Sequence, residues 1–325
     1  MQQEETALRW TQPSWRAEAE RWVRERVAEL GGSATTIEQS HVRPWGTVFR
    51  VDTGAGRLWF KASIAPLAYE VPLLEQLGAR RPDAVPKLLA GDEARAWMLM
   101  GDAGTRLTDL HANPPPIELW AEFLPAYAQL QLDAAAAADA LVDAGVPDRR
   151  APHLVEGFLR VLENRRLVRP SAHTRIDDGE LARLRSLVPI LADAVDTVAG
   201  LGLPDTVQHD DLHAWNVCVD DGGGYRFIDW GDACVAQPLL SLYVPLAHVP
   251  DGGAARARDA YLEPWTAIRP RAELTAACDA AVLLGQITGV LKWELINSVL
   301  SDAERVGYAD VIPKRLRHLL EFACG

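Results

Sequence analysis

Two glycine-rich turns constrain this chain more than any other feature. Asp52-Thr-Gly-Ala-Gly56 separates the strand-like runs Thr47–Val51 and Arg57–Ala62, and Asp220-Asp-Gly-Gly-Gly224 separates Val217–Val219 from Tyr225–Ile228. Glycines supply the positive φ that a tight reversal needs, so each pair of runs reads as a hairpin. With Thr36–Gln39 and Ala96–Met100 as further strands, the first hundred residues predict a small antiparallel sheet. A helix capped by Ser14 precedes it, with Trp15, Ala19, Trp22, Val23, Val27 and Leu30 at helical spacing and Gly31-Gly32 as its stop. A second helix is expected over Tyr69–Leu77.

Beyond Met100 the pattern changes. Gly101–Arg106 and Asn113-Pro-Pro-Pro116 read as a connector, and helices are expected from Ile117 onward. These include the alanine-rich run Asp133–Ala144, the segment Ala151–Leu167 and the tail Glu273–Cys324. Charge divides at the same place. Residues 1–100 hold 13 acids and 13 bases, so the whole net charge of -12 lies in the remaining 225 residues. The expectation is an α+β chain of two lobes, 1–100 and 101–325.

Composition narrows the function. A chain of 325 residues with 48% hydrophobic and 24% charged residues is ordinary for a globular protein. The acidic balance argues against nucleic acid as a partner, though not against cationic small molecules. Cys218, Cys234, Cys278 and Cys324 form no CxxC pair and no zinc spacing, which fits reduced packing thiols. The N-terminus MQQEETALRW lacks a basic and then apolar leader, and the apolar stretch Ala276–Leu291 is broken by Asp279, Gln286 and Thr288. The expected setting is cytoplasmic, without a membrane partner.

The chemistry concentrates in residues 205–232, which carry seven acids and only Arg226 as a base. His209-Asp-Asp-Leu-His-Ala-Trp-Asn216 leads directly into one strand, and Phe227-Ile-Asp-Trp230 ends the next. A hairpin between them brings Asn216 near Asp229, and an amide oxygen with a carboxylate suits Mg²⁺. Asp211 then stands where it can accept a proton from a hydroxyl nucleophile.

His209, Asp211 and Asn216, in the pattern H-x-D-x-x-x-x-N, followed by I-D-W at Ile228–Trp230, resemble the aminoglycoside phosphotransferase and choline kinase family. Those are small-molecule kinases with a protein-kinase-like fold. The resemblance implies Asp211 as catalytic base, Asn216 and Asp229 as Mg²⁺ ligands, and His209 as support for the catalytic loop. It implies ATP as cofactor and a hydroxyl-bearing small molecule as acceptor.

The first lobe supplies matching residues. Lys61 lies in the apolar strand Trp59-Phe-Lys-Ala62, in a chain with four lysines against 29 arginines. The resemblance makes it the phosphate-binding lysine and Glu70 its partner, with Glu75 as the other available acid. The same resemblance places the adenine-binding hinge at Trp97–Gly104, through the backbone of Gly101 and Ala103.

Three features depart from the family pattern. Arg43-Pro-Trp-Gly-Thr-Val48 stands where a G-x-G-x-x-G loop would lie, and Ala214-Trp215 stands where the family often has Pro-Gly. The acceptor-binding C-terminal region matches no single substrate group. Glu294, Asp302 and Glu304 are candidates for amine contacts if the acceptor is an aminoglycoside-like antibiotic, amino sugar or amino alcohol. Two other readings stand beside this one. His209-Asp210 with His213 and His173 fits a metal phosphohydrolase only if helices project all the ligands. A catalytically silent nucleotide-binding module would ordinarily lack one of Lys61, Asp211, Asn216 and Asp229.

Overall fold

The computed structural model describes residues 9–171 and 173–324. The expectation of no leader falls mainly on residues 1–8, outside that range. Helix α1 (Pro13–Glu29) starts with proline in its first turn, where a missing N–H costs nothing. Ser14 is therefore not the cap. It lies within that turn, Gln12 flanks the helix, and no side chain caps it. Gly31, at φ +78°, ends the helix in the left-handed conformation.

The sheet has five antiparallel strands rather than four. They are β1 (Ala34–Arg43), β2 (Gly46–Thr53), β3 (Gly56–Ser63), β4 (Leu88–Asp92) and β5 (Trp97–Gly101), in the order β1-β2-β3-β5-β4. Strand alternation sorts the two faces. Phe49 and Phe60 lie opposite one another in the β2–β3 register, as do Ala62 and Trp97 in the β3–β5 register. Trp22 of α1 packs its ring 5.6 Å from Phe60 and 5.8 Å from Trp97. Burying these rings fixes the register, and Lys61, between Phe60 and Ala62, must then point to the opposite face. Helix α2 (Glu70–Arg80) begins seven residues after the end of β3.

The second lobe is mainly helical. Its longer helices are α3 (Ile117–Ala134), α4 (Ala151–Glu163), α5 (Val188–Gly200), α6 (Ala254–Leu262), α7 (Cys278–Asn297) and α8 (Val311–Cys324). Helix α7 is largely buried along its length and packs against α4, α5 and α8. The alanine-rich run is not one helix: a 3-10 turn at Ala135–Ala137 interrupts it. No helix among the described residues is long and apolar enough to cross a membrane. Cys218, Cys234 and Cys278 are buried free thiols, while the Cys324 side chain lies outside what is described.

Short strands are set among these helices. β6 (Thr105–Arg106) pairs with β8 (Val217–Val219), which pairs with β9 (Tyr225–Phe227), while β7 (Thr206–Gln208) pairs with β10 (Cys234–Ala236). The expected connector thus contains a strand of its own. Gly104 makes the approach possible: at φ +101°, a Cβ there would lie 2.1 Å from the Val219 carbonyl oxygen.

Candidate functional site

The β8–β9 hairpin sets the floor of a cleft between the lobes. Val217 faces Phe227 in the register, and Ile228 N–H donates to Asn216 O at 3.0 Å. Asp229 follows at once in the left-handed conformation, φ +66°, before the 3-10 turn Trp230–Asp232. Buried Trp230 anchors that turn by donating from Nε1 to Phe227 O at 2.9 Å. Aspartate tolerates this backbone better than most residues, and it leaves the Asp229 side chain 58% exposed.

Lys61 joins the lobes. Its Nζ lies 2.6 Å from Glu70 Oε1 and 2.6 Å from Asp229 Oδ1, although Asp229 is 168 residues away in sequence. Glu70, not Glu75, is the partner, and its side chain is 3% exposed. Burial works against the Lys61 charge, but Asp229 and Glu70 outweigh it and raise the ammonium's proton affinity. Burial raises the Glu70 carboxyl, while Lys61 lowers that of Asp229. Two further bonds clasp the lobes here: Tyr69 Oη donates to Gly231 O at 2.7 Å, and Phe227 N–H to Ala84 O at 2.8 Å.

Asp211 sits on the loop between β7 and β8. Asn216 Nδ2 donates to Asp211 O at 2.9 Å and to Asp211 Oδ2 at 3.2 Å, and His213 Nε2 lies 3.3 Å from the same Oδ2. These bonds use the Asn216 amide nitrogen and leave its side-chain oxygen as the available donor to a cation. Asp211 Oδ1 faces Lys292 Nζ at 3.3 Å. Burial opposes ionisation of Asp211, but Lys292 and His213 outweigh it and hold the carboxyl well below the usual range.

His209 is wholly buried and supports this loop. Its N–H donates to Tyr127 Oη at 2.9 Å, and Nε2 lies 2.8 Å from Ile228 O. A carbonyl only accepts, so Nε2 carries the proton and the buried Nδ1 has no partner. Burial lowers the imidazole pKa to about 4. An unfolded histidine titrates near 6.5, so the unfolded chain binds the extra proton first and stability falls as pH drops from about 6.5 to 4. The expected loss through this group is roughly 3 kcal/mol. Urea unfolding of wild type and His209→Gln across that range checks it, because the variant should show the flatter profile.

The cleft has a volume of about 330 Å³ and is lined by Lys61, Glu70, Asp229, the apolar Val48, Leu74, Met100 and Ile228, and the backbone from Gly101 to Thr105. Asp211 and Asn216 do not line this cleft, and two larger openings, of about 760 and 870 Å³, contain none of Lys61, Asp211, Asn216 and Asp229. The two residues expected at the hinge differ. Gly101 N–H already donates to Lys87 O at 2.9 Å, whereas Ala103 is buried outside the strands with no recorded backbone partner.

Glu294 is held by Arg160 at 2.7 Å, Asp302 by Arg166 at 2.7 Å and also by Arg305, and Glu304 closes a capping box with Ser301. Each already has a protein partner. Trp215 is 48% exposed. Among the described residues no three His, Cys, Asp or Glu side chains gather as a self-sufficient metal site. That fits two oxygen ligands completed by phosphate and water better than a histidine-rich phosphohydrolase centre. Sequence reasoning missed Lys292 and Asp232, which stand 2.9 Å apart beside Asp211.

Residues 46–274 match the model of the phosphotransferase enzyme family (APH). No curated protein sequence matches the chain. Solved structures share the fold. Macrolide 2'-phosphotransferase MphH from Brachybacterium faecium is 17% identical, with a TM-score of 0.59, covering 90% of this chain and 97% of its own. Choline kinase LicA from Streptococcus pneumoniae is 13% identical, with a TM-score of 0.62 and coverages of 94% and 99%. A choline/ethanolamine kinase family protein from Mesorhizobium loti is 17% identical, with a TM-score of 0.56 and coverages of 94% and 100%.

Proposed function

The chain belongs to the phosphotransferase enzyme family and is a small-molecule kinase; from its cleft we propose that it moves the γ-phosphoryl group of ATP to a hydroxyl of its acceptor in a magnesium-dependent reaction. The observation that carries this reading is the Lys61 ammonium held 2.6 Å from both Glu70 and Asp229 across the cleft. An ammonium has three protons. Two are used here, and the third is available to the α/β phosphates. Structures of LicA with AMP and of APH(2")-IIia with GDP and kanamycin support nucleotide use. Residues 1–100 are proposed as the nucleotide lobe and 101–325 as the catalytic and acceptor lobe.

Adenine would lie against Met100 and Val48 and bond the free backbone of Ala103, with the Gly101 carbonyl as its other contact. Asn216 Oδ1 and the Asp229 carboxylate would hold Mg²⁺, whose charge offsets the charge developing on the transferred phosphoryl group. Asp211 aligns the acceptor hydroxyl and takes its proton late, as a loose transition state allows. Lys292 and His213 lower its basicity, which favours alignment over early proton abstraction. The protein contributes mainly position and fixed charge.

The test is ADP release by the purified protein with Mg-ATP across hydroxyl acceptors. These comprise aminoglycosides, macrolides, hexosamines, choline, ethanolamine and homoserine. Acceptor-dependent release supports the reading and names the acceptor, and failure to bind Mg-ATP overturns it. Asp229→Ala is expected to weaken Mg-ATP at least tenfold while leaving metal-free ATP binding little changed. Calorimetric titration with and without Mg²⁺ separates the two, and equal losses in both arms would remove Asp229 as a metal ligand.

A further inference from the structure

Helix α7 reaches into the catalytic loop through two side chains one turn apart. Thr288 Oγ1 donates to Asp210 Oδ1, and Lys292 Nζ donates to Asp210 O at 3.0 Å. Positions i and i+4 share a helix face, so both side chains meet the Asp210-Asp211 pair together. Asp210 is itself unusual: it is buried, left-handed at φ +58°, and its carboxylate also takes Arg149 Nη1 at 3.2 Å. Such a backbone persists in a non-glycine residue only where its surroundings over-determine it.

We propose that Lys292 is a positioning residue for phosphoryl transfer, fixing the plane of the Asp211 carboxylate and the backbone that carries it. This inference rests on the phosphotransfer reading above. The ammonium donates to Asp210 O at 3.0 Å and to Asp211 Oδ1 at 3.3 Å, and it forms an ion pair with Asp232 Oδ2 at 2.9 Å. All three of these contacts are to the protein and the side chain is buried, so its action passes through Asp211. That separates it from Lys61, which lines the cleft. Asp211 Oδ2 is already set by Asn216 and His213, and Lys292 is the recorded donor to Oδ1. Removing it frees the carboxylate to rotate about a broad terminal torsion. Lys292 is also nearly inaccessible, with 6% of its side chain exposed, so its flexible stem is immobilised.

A structural role alone would be to neutralise Asp232, and a compensated variant tells the two apart. Lys292→Met is expected to lower kcat about 100-fold, the scale of a misplaced catalytic group, with the KM for Mg-ATP changed less than threefold. It should also lower the melting temperature, because Asp232 loses its counter-ion. Lys292→Met/Asp232→Asn should regain part of the melting temperature but not kcat, because Asp211 and Asp210 O still lack their donor. Recovery of both in the double variant, or undiminished kcat in Lys292→Met, would overturn the inference while native turnover keeps the kinase reading intact. Absence of native turnover with every acceptor would overturn both.

Discussion

Asp211→Asn is expected to lower turnover about 1000-fold and leave Mg-ATP affinity within a factor of two. A positioned base contributes about 10²–10⁴ to rate. The upper half of that range is expected here because the same carboxylate also orients the nucleophile. Nucleotide affinity should survive because Lys61, Glu70 and Asp229 make no hydrogen bond to Asp211, and Asn216, which does, keeps its bond to the Asp211 backbone oxygen. Some stability should be lost: asparagine keeps the side-chain shape but turns its NH2 toward a donor, either Lys292 or Asn216 and His213, while Lys292 retains Asp232 and Asp210 O. Steady-state ADP release beside a Mg-ATP titration measures both quantities. Turnover within tenfold of wild type would remove Asp211 as the base. A parallel loss of nucleotide affinity would instead place it among the nucleotide ligands.

The legible parts of this molecule are those in which a residue's neighbours in sequence are also its physical determinants. The β2–β3 turn, the alternation that turns Lys61 away from Phe60, and the H-x-D-x-x-x-x-N run before a hairpin are all local. Strand β4 was missed because Leu88-Leu-Ala-Gly-Asp92 shows no alternation, and it pairs irregularly, with a register shift between Leu88 and Ala90. Ser14 looked like a cap because the cap preference is read one residue at a time, whereas Pro13 had already set the helix start. Glu294 looked free because its arginine partner, Arg160, lies 134 residues away, whereas Asp302 also has Arg305 three residues on. Lys292 is the instructive case. The reasoning that singled out Lys61, a rare lysine in an arginine-rich chain set among apolar residues, applies equally to Gly289-Val-Leu-Lys-Trp293. In a helix, however, a lysine can extend its stem to solvent, so the local pattern does not reveal burial. Only the packing of α7 against the loop does.

Lys61→Ala is the variant in which stability and nucleotide use must be separated. The sequence alone predicts weakened ATP use without loss of fold, but the contacts of Lys61 add a cost. Glu70 would be left 3% exposed with no cation, whereas Asp229, at 58%, would be solvated by water. Stranding one member of a buried pair costs about 3–5 kcal/mol, and protonation of Glu70 limits the loss to the lower end. The sign of the pH effect follows. The Glu70 carboxyl already lies above its ordinary value and would rise further without Lys61. The deficit should therefore be largest above that raised value and shrink as pH falls and Glu70 takes a proton. Lys61→Ala/Glu70→Gln removes the stranded charge and should restore most of the melting temperature at pH 7.5, while Mg-ATP use stays at least 100-fold reduced in kcat/KM. Thermal scans at pH 5.5 and 7.5, together with kinetics on both variants, read the two effects independently. If the double variant regained activity along with stability, Lys61 would be a lobe-joining ion pair and not the phosphate ligand.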